Sequence, residues 1–315
     1  MIMKNSNKIR KSSSLIKLAR DTNLSVDDLI LPIFIREDNQ TIEIPAMHGQ
    51  HYLSLDSAID KCKEAYQLGI PGIMVFSVLK DRDDDATIAL KKGNFEEKVF
   101  KKLKDEVGDK LTVISNVFLC TYTKDEYCFY SLNGKILNQK TAEMLGKISV
   151  LHANAGADVI APAAMVDGQV KSIRESLNDN GHDNVPIMTY IKTNSSLFDP
   201  FYSAMSDSTC SRNDVAPSMT RIDALSEKMF LQKLNSEIEE GADIVIIKPA
   251  LPNLDLIRLA KETHPDVYLS TYQVSGEYVM IKSASENGQL IESKVVLEGA
   301  VVVWISVHTG MTVIS

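Results

Sequence analysis

The chain has 315 residues, of which 44% are hydrophobic and 24% are charged, and its formal net charge at pH 7 is −8. This composition is ordinary for a globular protein with a large core, and the negative charge provides no basic field for binding nucleic acid. No apolar run approaches the ~20 residues of a membrane span, and the N-terminus is polar and basic. We therefore expect a cytoplasmic protein with neither a membrane span nor a secretory signal.

The first half of the chain alternates apolar runs with patterns of helical spacing. Residues 1–28 are basic and rich in serine, and we interpret them as an N-terminal arm before a catalytic domain at 29–315, whose tail at 301–315 is atypical. The apolar runs predict strands at 29–35, 73–78, 111–119 and 159–162. The patterns between them predict helices at 54–68, 95–107 and 141–155.

The second half continues this alternation and contains one long irregular segment. Strands are predicted at 185–192, 243–248, 267–274 and 300–305, and helices at 170–177, 226–240 and 254–263. Residues 193–220 show no pattern, and a segment of this length in a compact domain is typical of a lid or of a disordered stretch. Eight strands separated mostly by helices favour an α/β fold of the (β/α)₈ TIM-barrel type, with an open doubly wound sheet as the second interpretation. No glycine-rich phosphate fingerprint follows the first strand, which argues against a dinucleotide-binding sheet.

Two predicted strands end in a lysine, the fifth in Lys192 and the sixth in Lys248. In a barrel the catalytic groups lie at the carboxyl ends of the strands, and neighbouring strands are ~4.8 Å apart, so both amines can reach one pocket. Burial and a second cation both lower the pKa of a lysine, and a neutral lysine adds to a carbonyl to form a Schiff base. A lysine at a strand end is more often solvated or paired with a carboxylate, so this pattern alone leaves both roles open.

Longer motifs around these lysines resemble those of one enzyme family. Residues 247–255 read IKPALPNLD and residues 272–278 read YQVSGEY; shorter stretches are DLILPIF at 28–34, AGADVIAP at 155–162 and MTYIK at 188–192. They resemble 5-aminolevulinate dehydratase, also called porphobilinogen synthase. The resemblance implies a TIM barrel with an extended N-terminal arm, assembled as a homo-octamer. It also implies a hydro-lyase that condenses two 5-aminolevulinate molecules to porphobilinogen in haem biosynthesis.

The resemblance also assigns roles to individual positions. Lys248 is similar to the family lysine that forms the Schiff base with the first substrate, and Lys192 to its partner lysine. Ser275 resembles the hydroxyl that binds the first substrate's carboxylate, and Phe201 resembles a pocket aromatic. Arg212 resembles a lid arginine that pairs with the carboxylate of the second substrate, a task that suits a planar guanidinium.

The cysteines depart from the family pattern. Four in the whole chain are too few for a disulfide scaffold. Zinc-dependent members carry three cysteines after strand three, whereas here Cys120 and Cys128 match two of them and Phe118 takes the place of the first. Two thiolates are one ligand short of a usual catalytic zinc site. Zinc at Cys120 and Cys128 is therefore possible but doubtful, free thiols are the alternative, and no organic cofactor is expected.

Other departures fall on the site of the second substrate. Asn116 stands where the family has an aspartate, and Tyr202 and Ala216 stand where the lid has an arginine and a glutamine. Lys233 takes the position of a glutamate that holds magnesium in bacterial members, so no magnesium site is expected there. The family tyrosine of strand eight aligns with Ser306.

These departures leave three interpretations open. The first is an active dehydratase that tolerates them. The second is a catalytically impaired or inactive homologue that keeps the barrel and the oligomer surface. The third is a lysine-dependent lyase of the class I aldolase type, which would need a phosphate cradle after strands seven and eight, where Ser275 and Gly276 alone are available.

Overall fold

The structure is a computed structural model that describes residues 6–20, 23–45, 47–195, 220–307 and 311–314. In these residues, eight parallel strands follow one another around a barrel in chain order. The strands are β1 (Leu29–Arg36), β2 (Gly72–Val78), β3 (Thr112–Val117), β4 (Val159–Pro162), β5 (Met188–Lys192), β6 (Ile244–Lys248), β7 (Tyr268–Gln273) and β8 (Met311–Ile314). The predicted TIM barrel is confirmed.

Two contacts complete the ring of strands. Strand β8 lies between β1 and β7, with Thr312 opposite both Leu29 and Thr271. Strands β4 and β5 meet at a single parallel bridge between Ile160 and Ile187. The other barrel strands form longer parallel ladders, so their backbone hydrogen-bonding groups are paired inside a buried wall.

Helices surround the barrel. They are α2 (Leu55–Gln67), α3 (Phe95–Val107), α4 (Asn138–Asn154), α5 (Gln169–Asp179), α6 (Glu227–Glu239), α7 (Leu254–Thr263), α8 (Ser275–Glu286) and α9 (Glu292–Val307), whereas the short helix α1 (Ser13–Leu18) lies in the N-terminal arm. Short strand pairs lie at Ile42–Glu43 with His51–Leu53 and at Ser131–Leu132 with Lys135–Ile136. No described helix is long and apolar enough to span a membrane.

A Gly-Ala-Asp sequence makes the same connection before β4 and before β6. Gly156 and Gly241 have φ angles of 101° and 104°, a region that glycine adopts without steric cost. The aspartates that follow then accept backbone amides of the neighbouring strands. Asp158 accepts the Val113 amide at 2.9 Å, and Asp243 accepts the Ile187 amide at 2.8 Å. This motif fixes where β4 and β6 begin, and so where β6 delivers Lys248.

Aromatic side chains fill the interior of the barrel below its carboxyl end. The rings of Phe34 and Phe76 stack with their centres 4.9 Å apart, and Tyr272 meets Phe76 edge-on at 6.3 Å. Phe118, the residue in place of the family's first cysteine, joins them at 6.5 Å from Phe76. Tyr190 is fully buried in the same cluster. The site above therefore has an apolar floor.

The eighth strand was predicted in the wrong place. Residues 300–305 belong to helix α9, and the strand is Met311–Ile314. An unbroken apolar run cannot be distinguished from a buried helix by its periodicity, and here the run continues a helix of 16 residues. Gly299 lies inside α9. There a Cβ atom would come within 3.3 Å of Gln273 Nε2, so glycine allows α9 to approach β7 closely.

Candidate active site

The two candidate lysines lie side by side at the carboxyl ends of neighbouring strands. Strands β5 and β6 pair in register, so that Lys192 lies opposite Lys248. Tyr190 and Ile246, two residues earlier on each strand, are buried in the barrel interior. Because side chains alternate along a strand, both lysines also face the interior. The structure thus brings together the two amines that the sequence singled out.

Each amine has a defined environment. Lys192 is buried, and its Nζ donates a hydrogen bond to the Ala163 carbonyl oxygen at 2.5 Å. Lys248 keeps part of its surface accessible, with Nζ 4.4 Å from the centre of the Tyr190 ring and 5.0 Å from that of Tyr272. Aromatic faces attract an ammonium group but solvate it less well than water does. The site therefore holds both amines in a setting that favours their neutral forms.

The pKa values of both lysines are lowered. Burial is the largest cause in each case, because it disfavours the charged amine. The pKa of Lys248 falls well below its ordinary value, since the positive charges of Lys192 and Arg221 add to the effect of burial. Lys248 is therefore placed to act as a neutral nucleophile.

Glu277 ties together the two segments that leave β6 and β7. Its carboxylate accepts the backbone amides of Val274 at 2.6 Å, Leu251 at 2.8 Å and Ala250 at 3.3 Å. Burial nevertheless raises the pKa of Glu277 to about 7. Its position fixes the loop that follows Lys248 against the first turn of α8, where the candidate Ser275 is buried. Glu277 lies within the YQVSGEY motif, but this role was not predicted, although an acid three residues after a helix cap indicates such a contact.

The candidate cysteines also lie together. The Sγ atoms of Cys120 and Cys128 are 2.9 Å apart and share a hydrogen bond. That bond lowers the pKa of Cys128 to about 6, with help from the charge of Lys192, whereas burial raises the pKa of Cys120. The thiols thus lie close enough to the lysines to influence their charge.

This donor set does not make up a complete zinc site. Two thiolates on one tetrahedral zinc would lie roughly 3.8 Å apart, farther than the observed hydrogen-bonded pair. Among the described residues, no three His, Cys, Asp or Glu side chains are grouped as a metal site requires. Cys120 and Cys128 alone therefore supply too few ligands for a catalytic zinc.

Asn116, at the end of β3, is buried in place of the family aspartate. Its Oδ1 atom has no hydrogen-bond partner within the described residues. A buried acceptor without a partner costs free energy, and a substrate amine or hydroxyl could supply the missing donor. The amide therefore keeps an acceptor at this position, although the negative charge is lost.

Arg221 is a cation that the sequence analysis missed. It precedes Ile222, whose amide donates to the Lys192 carbonyl at 2.9 Å and whose carbonyl accepts the Asn194 amide at 2.7 Å. The signal was an arginine immediately after the predicted lid. Two residues assigned on the lid, Phe201 and Arg212, lie outside the described residues, so their assignment stays a prediction.

Comparisons with known proteins agree with this geometry. The family model "Delta-aminolevulinic acid dehydratase" matches residues 3–308. The chain belongs to the delta-aminolevulinic acid dehydratase family. A dehydratase of that name from Methanothermus sociabilis is 42% identical over 92% of this chain and 89% of its own length, and one from Synechocystis sp. is 39% identical over 92% and 89%. The crystal structure of the Toxoplasma gondii enzyme in complex with the reaction product porphobilinogen has a TM-score of 0.92 and 28% identity, covering 99% of this chain and 89% of that one.

Membership of the dehydratase family gives the geometry its context. Lys192 and Lys248 end the strands on which the sequence placed them, and Ser275 is the first residue of α8, a helix that was not predicted. The departures at Asn116 and Phe118 lie in the same barrel and are buried there without disturbing the strands. Nothing in the described site favours the inactive homologue over an active dehydratase.

Proposed function

We propose that this chain condenses two molecules of 5-aminolevulinate to porphobilinogen with release of two waters, and that the reaction begins with an imine on Lys248. The observation that carries the proposal is the direct pairing of Lys248 with Lys192 above an aromatic floor. Family membership supplies the substrate and the product. The name of the Toxoplasma gondii structure, a complex with porphobilinogen, supports the same product.

Lys248 and Lys192 have different roles in the first step. Neutral Lys248 attacks the ketone carbon of the first substrate, forming a C–N bond and a carbinolamine. The carbinolamine oxygen takes up a proton and leaves as water, which gives the imine. Lys192, whose pKa is lowered less than that of Lys248, is the neighbouring cation from which that proton can come. The carbon next to the ketone of the second substrate then attacks the imine carbon to form the C–C bond, and Lys248 leaves as a free amine when that carbon loses a proton. The amine of the first substrate condenses with the ketone of the second, which forms the C–N bond and releases the second water. The net reaction forms one C–C and one C–N bond and regenerates the free lysine.

One experiment with two readouts tests this proposal. Purified protein is incubated with 5-aminolevulinate and assayed for the coloured pyrrole adduct, and a parallel sample is reduced with borohydride and digested. We expect pyrrole, together with added mass on the peptide that contains Lys248. The matched control Lys282→Met alters a partly exposed lysine that is paired with Glu292, and it should change neither readout. Added mass without pyrrole would support the impaired homologue instead, and no added mass would refute the imine.

We also propose that the chain assembles as a homo-octamer through its N-terminal arm. Helix α1 buries none of its residues, and apolar side chains of the arm are exposed, with Leu15 at 37%, Ile16 at 40% and Leu18 at 83%. Apolar side chains clustered on one short segment are typical of a contact with another chain. Sedimentation of the full chain should give an octamer, and Leu18→Asp should reduce the subunit count. An unchanged count in the variant would exclude the arm from the interface.

A further inference from the structure

Asn253 joins the two chain segments that leave the paired lysines. It lies between the end of β6 and helix α7, and it is buried with 1% of its surface exposed. Its Nδ2 atom donates to the Pro249 carbonyl oxygen at 2.6 Å and to the Thr193 hydroxyl at 2.9 Å. The Thr193 hydroxyl in turn donates to the Asn253 Oδ1 atom at 3.1 Å. One side-chain amide therefore binds the residue that directly follows each lysine.

The backbone ladder between β5 and β6 ends at the lysine pair. Just beyond that pair, the Thr193 amide donates to the Lys248 carbonyl oxygen at 3.1 Å. In a parallel ladder the next donor from β6 would be the Ala250 amide, two residues after Lys248. The Ala250 amide instead donates to Glu277 at 3.3 Å. The Asn253 side chain therefore connects the two segments at the point where the backbone ladder stops.

Burial makes this connection effective. Thr193 is also buried, with 1% of its surface exposed, so water does not compete for the hydrogen bonds of the amide. Separating the groups would leave buried donors and acceptors without partners, which costs free energy. Because Thr193 and Pro249 directly follow Lys192 and Lys248, the contact fixes how far apart the two lysine side chains begin.

The separation of the two amines matters because their charges interact. The positive charge of Lys192 contributes to the lowered pKa of Lys248, after the larger effect of burial. Other groups of the described residues act on the amines through their charge or through a ring face, and these are Arg221, Cys120, Cys128, Tyr190 and Tyr272. A substitution at Asn253 replaces none of these groups, so it acts on the lysines through their separation.

We propose that Asn253 is a positioning residue that fixes the separation of the Lys192 and Lys248 amines and so keeps Lys248 in the form that makes the imine. This inference rests on the proposed function and adds a residue to it. Asn253 lies in the IKPALPNLD motif, which by itself assigns it no role. It acts through the segments that follow the two strand ends, whereas Lys248 itself meets the ketone.

Borohydride trapping of 4-oxopentanoate isolates the step in question. This compound has the ketone and the carboxylate of 5-aminolevulinate but no amine, so trapping reports imine formation at Lys248 alone. Over a pH series, Asn253→Leu should move the acid limb of trapping to higher pH, because amines that lie farther apart repel less and Lys248 is protonated more easily. An increase of ~1 Å from a separation of ~4.8 Å corresponds to a shift of about half a pH unit at an effective dielectric constant of ~20. Thr193→Val removes the hydroxyl but keeps the Pro249 contact, and it should give a smaller shift in the same direction.

Two further variants distinguish positioning from a general loss of stability. Asn253→Leu combined with Lys192→Met should trap with the same acid limb as Lys192→Met alone, because the second charge is absent from both. Asn180→Leu is the matched control. Its amide is exposed and donates to the Ser176 carbonyl four residues earlier at 2.8 Å, as Asn253 donates to that of Pro249, and its loss should leave the limb unchanged.

The acid limb of Asn253→Leu decides the outcome. A limb that stays in place or moves to lower pH would overturn the inference, as would a trapping rate that falls equally at every pH, which is the effect of a residue with a structural role alone. A shift that persists in the Lys192→Met background would also overturn it. If Asn253→Leu fails to fold, Thr193→Val carries the same test, since valine keeps the shape of threonine. No trapping by the wild-type protein would refute the imine itself, whereas trapping by wild type with an unmoved limb in the variant would refute only the role of Asn253.

Discussion

Replacing Lys192 by methionine tests whether its charge keeps Lys248 in the neutral, reactive form. The two residues are paired in register on adjacent strands, which lie ~4.8 Å apart. At that separation and an effective dielectric constant of ~20, two positive charges repel by about 3 kcal/mol. Burial also lowers the pKa of Lys248 and remains in the variant, so the substitution removes one cause and leaves the larger one.

The sign of the effect follows from the proton balance. Without the neighbouring cation, protonated Lys248 is less disfavoured, so its pKa rises and less neutral amine is present at a given pH. At pH values where Lys192 is charged, the loss of neutral amine should reach a few hundredfold at most, on the order of 10². The acid limb of imine formation should therefore move to higher pH in Lys192→Met.

Borohydride trapping of 4-oxopentanoate over a pH series measures that limb directly. It does not depend on the second substrate or on later steps. Lys192→Arg retains the charge and should retain the wild-type limb, while Lys104→Met, which alters a lysine paired with Asp158 outside the barrel, controls for loss of a lysine as such. A limb that stays in place or moves to lower pH in Lys192→Met would refute the view that Lys192 acts on Lys248 through its charge.

Three further predictions concern groups around the site. Burial raises the pKa of Glu277 to about 7, so its contribution to stability is present below the unfolded-state pKa of ~4.5 and is lost as pH rises through 7. The unfolding free energy of wild type minus that of Glu277→Gln, measured by urea denaturation, should therefore fall by about 3 kcal/mol over this range. A difference that stays constant with pH would contradict the raised pKa. His152→Leu removes the partner that lies 3.1 Å from the buried Glu96 carboxylate and should lower the unfolding free energy by about 3 kcal/mol. The kcat per folded molecule should stay the same, because the pair lies outside the barrel. A lower kcat would contradict this placement. Removal of metal with a chelator should keep the rate of pyrrole formation within about twofold of that of the untreated protein, because Cys120 and Cys128 are one ligand short of a zinc site. A loss of activity that added zinc restores would show that both thiols are zinc ligands.

The sequence predicted the parts of the fold that depend on local pattern. Seven of the eight strands and the helices α2 to α7 lie where apolar runs and helical spacing placed them, with ends shifted by a few residues. Helix α3 and strand β4 match their predicted ranges, because Asn94 caps the helix and the Gly-Ala-Asp sequence starts the strand. The prediction failed at residues 300–305, where all six side chains are apolar or small and pattern carries no information.

The candidate site was predictable only where chemistry appears in one short motif. Lys192, Lys248 and Ser275 each stand at the end of a strand or the start of a helix, so position along the chain implied position in the barrel. Arg221 became visible only through the backbone hydrogen bonds that join Ile222 to Lys192, which connect segments 30 residues apart. Pairings of this kind depend on the closed barrel and leave no local signal in the sequence.

The position of Lys233 shows how a departure from a family motif can be misjudged as a simple loss. In the structure its ammonium lies 2.7 Å from the buried Glu237 carboxylate and 3.3 Å from the Val166 carbonyl. Glu237 is held in turn by the Thr189 hydroxyl at 2.5 Å and the Gln169 amide at 3.2 Å. A buried carboxylate requires a positive partner, and here the chain supplies it from α6 itself. The same reasoning applies at the lysine pair, where Arg221 supplies positive charge from a position that the family motif does not mark. A substitution in this barrel is therefore best judged by the charge that its surroundings require, rather than by the residue type that the motif prescribes.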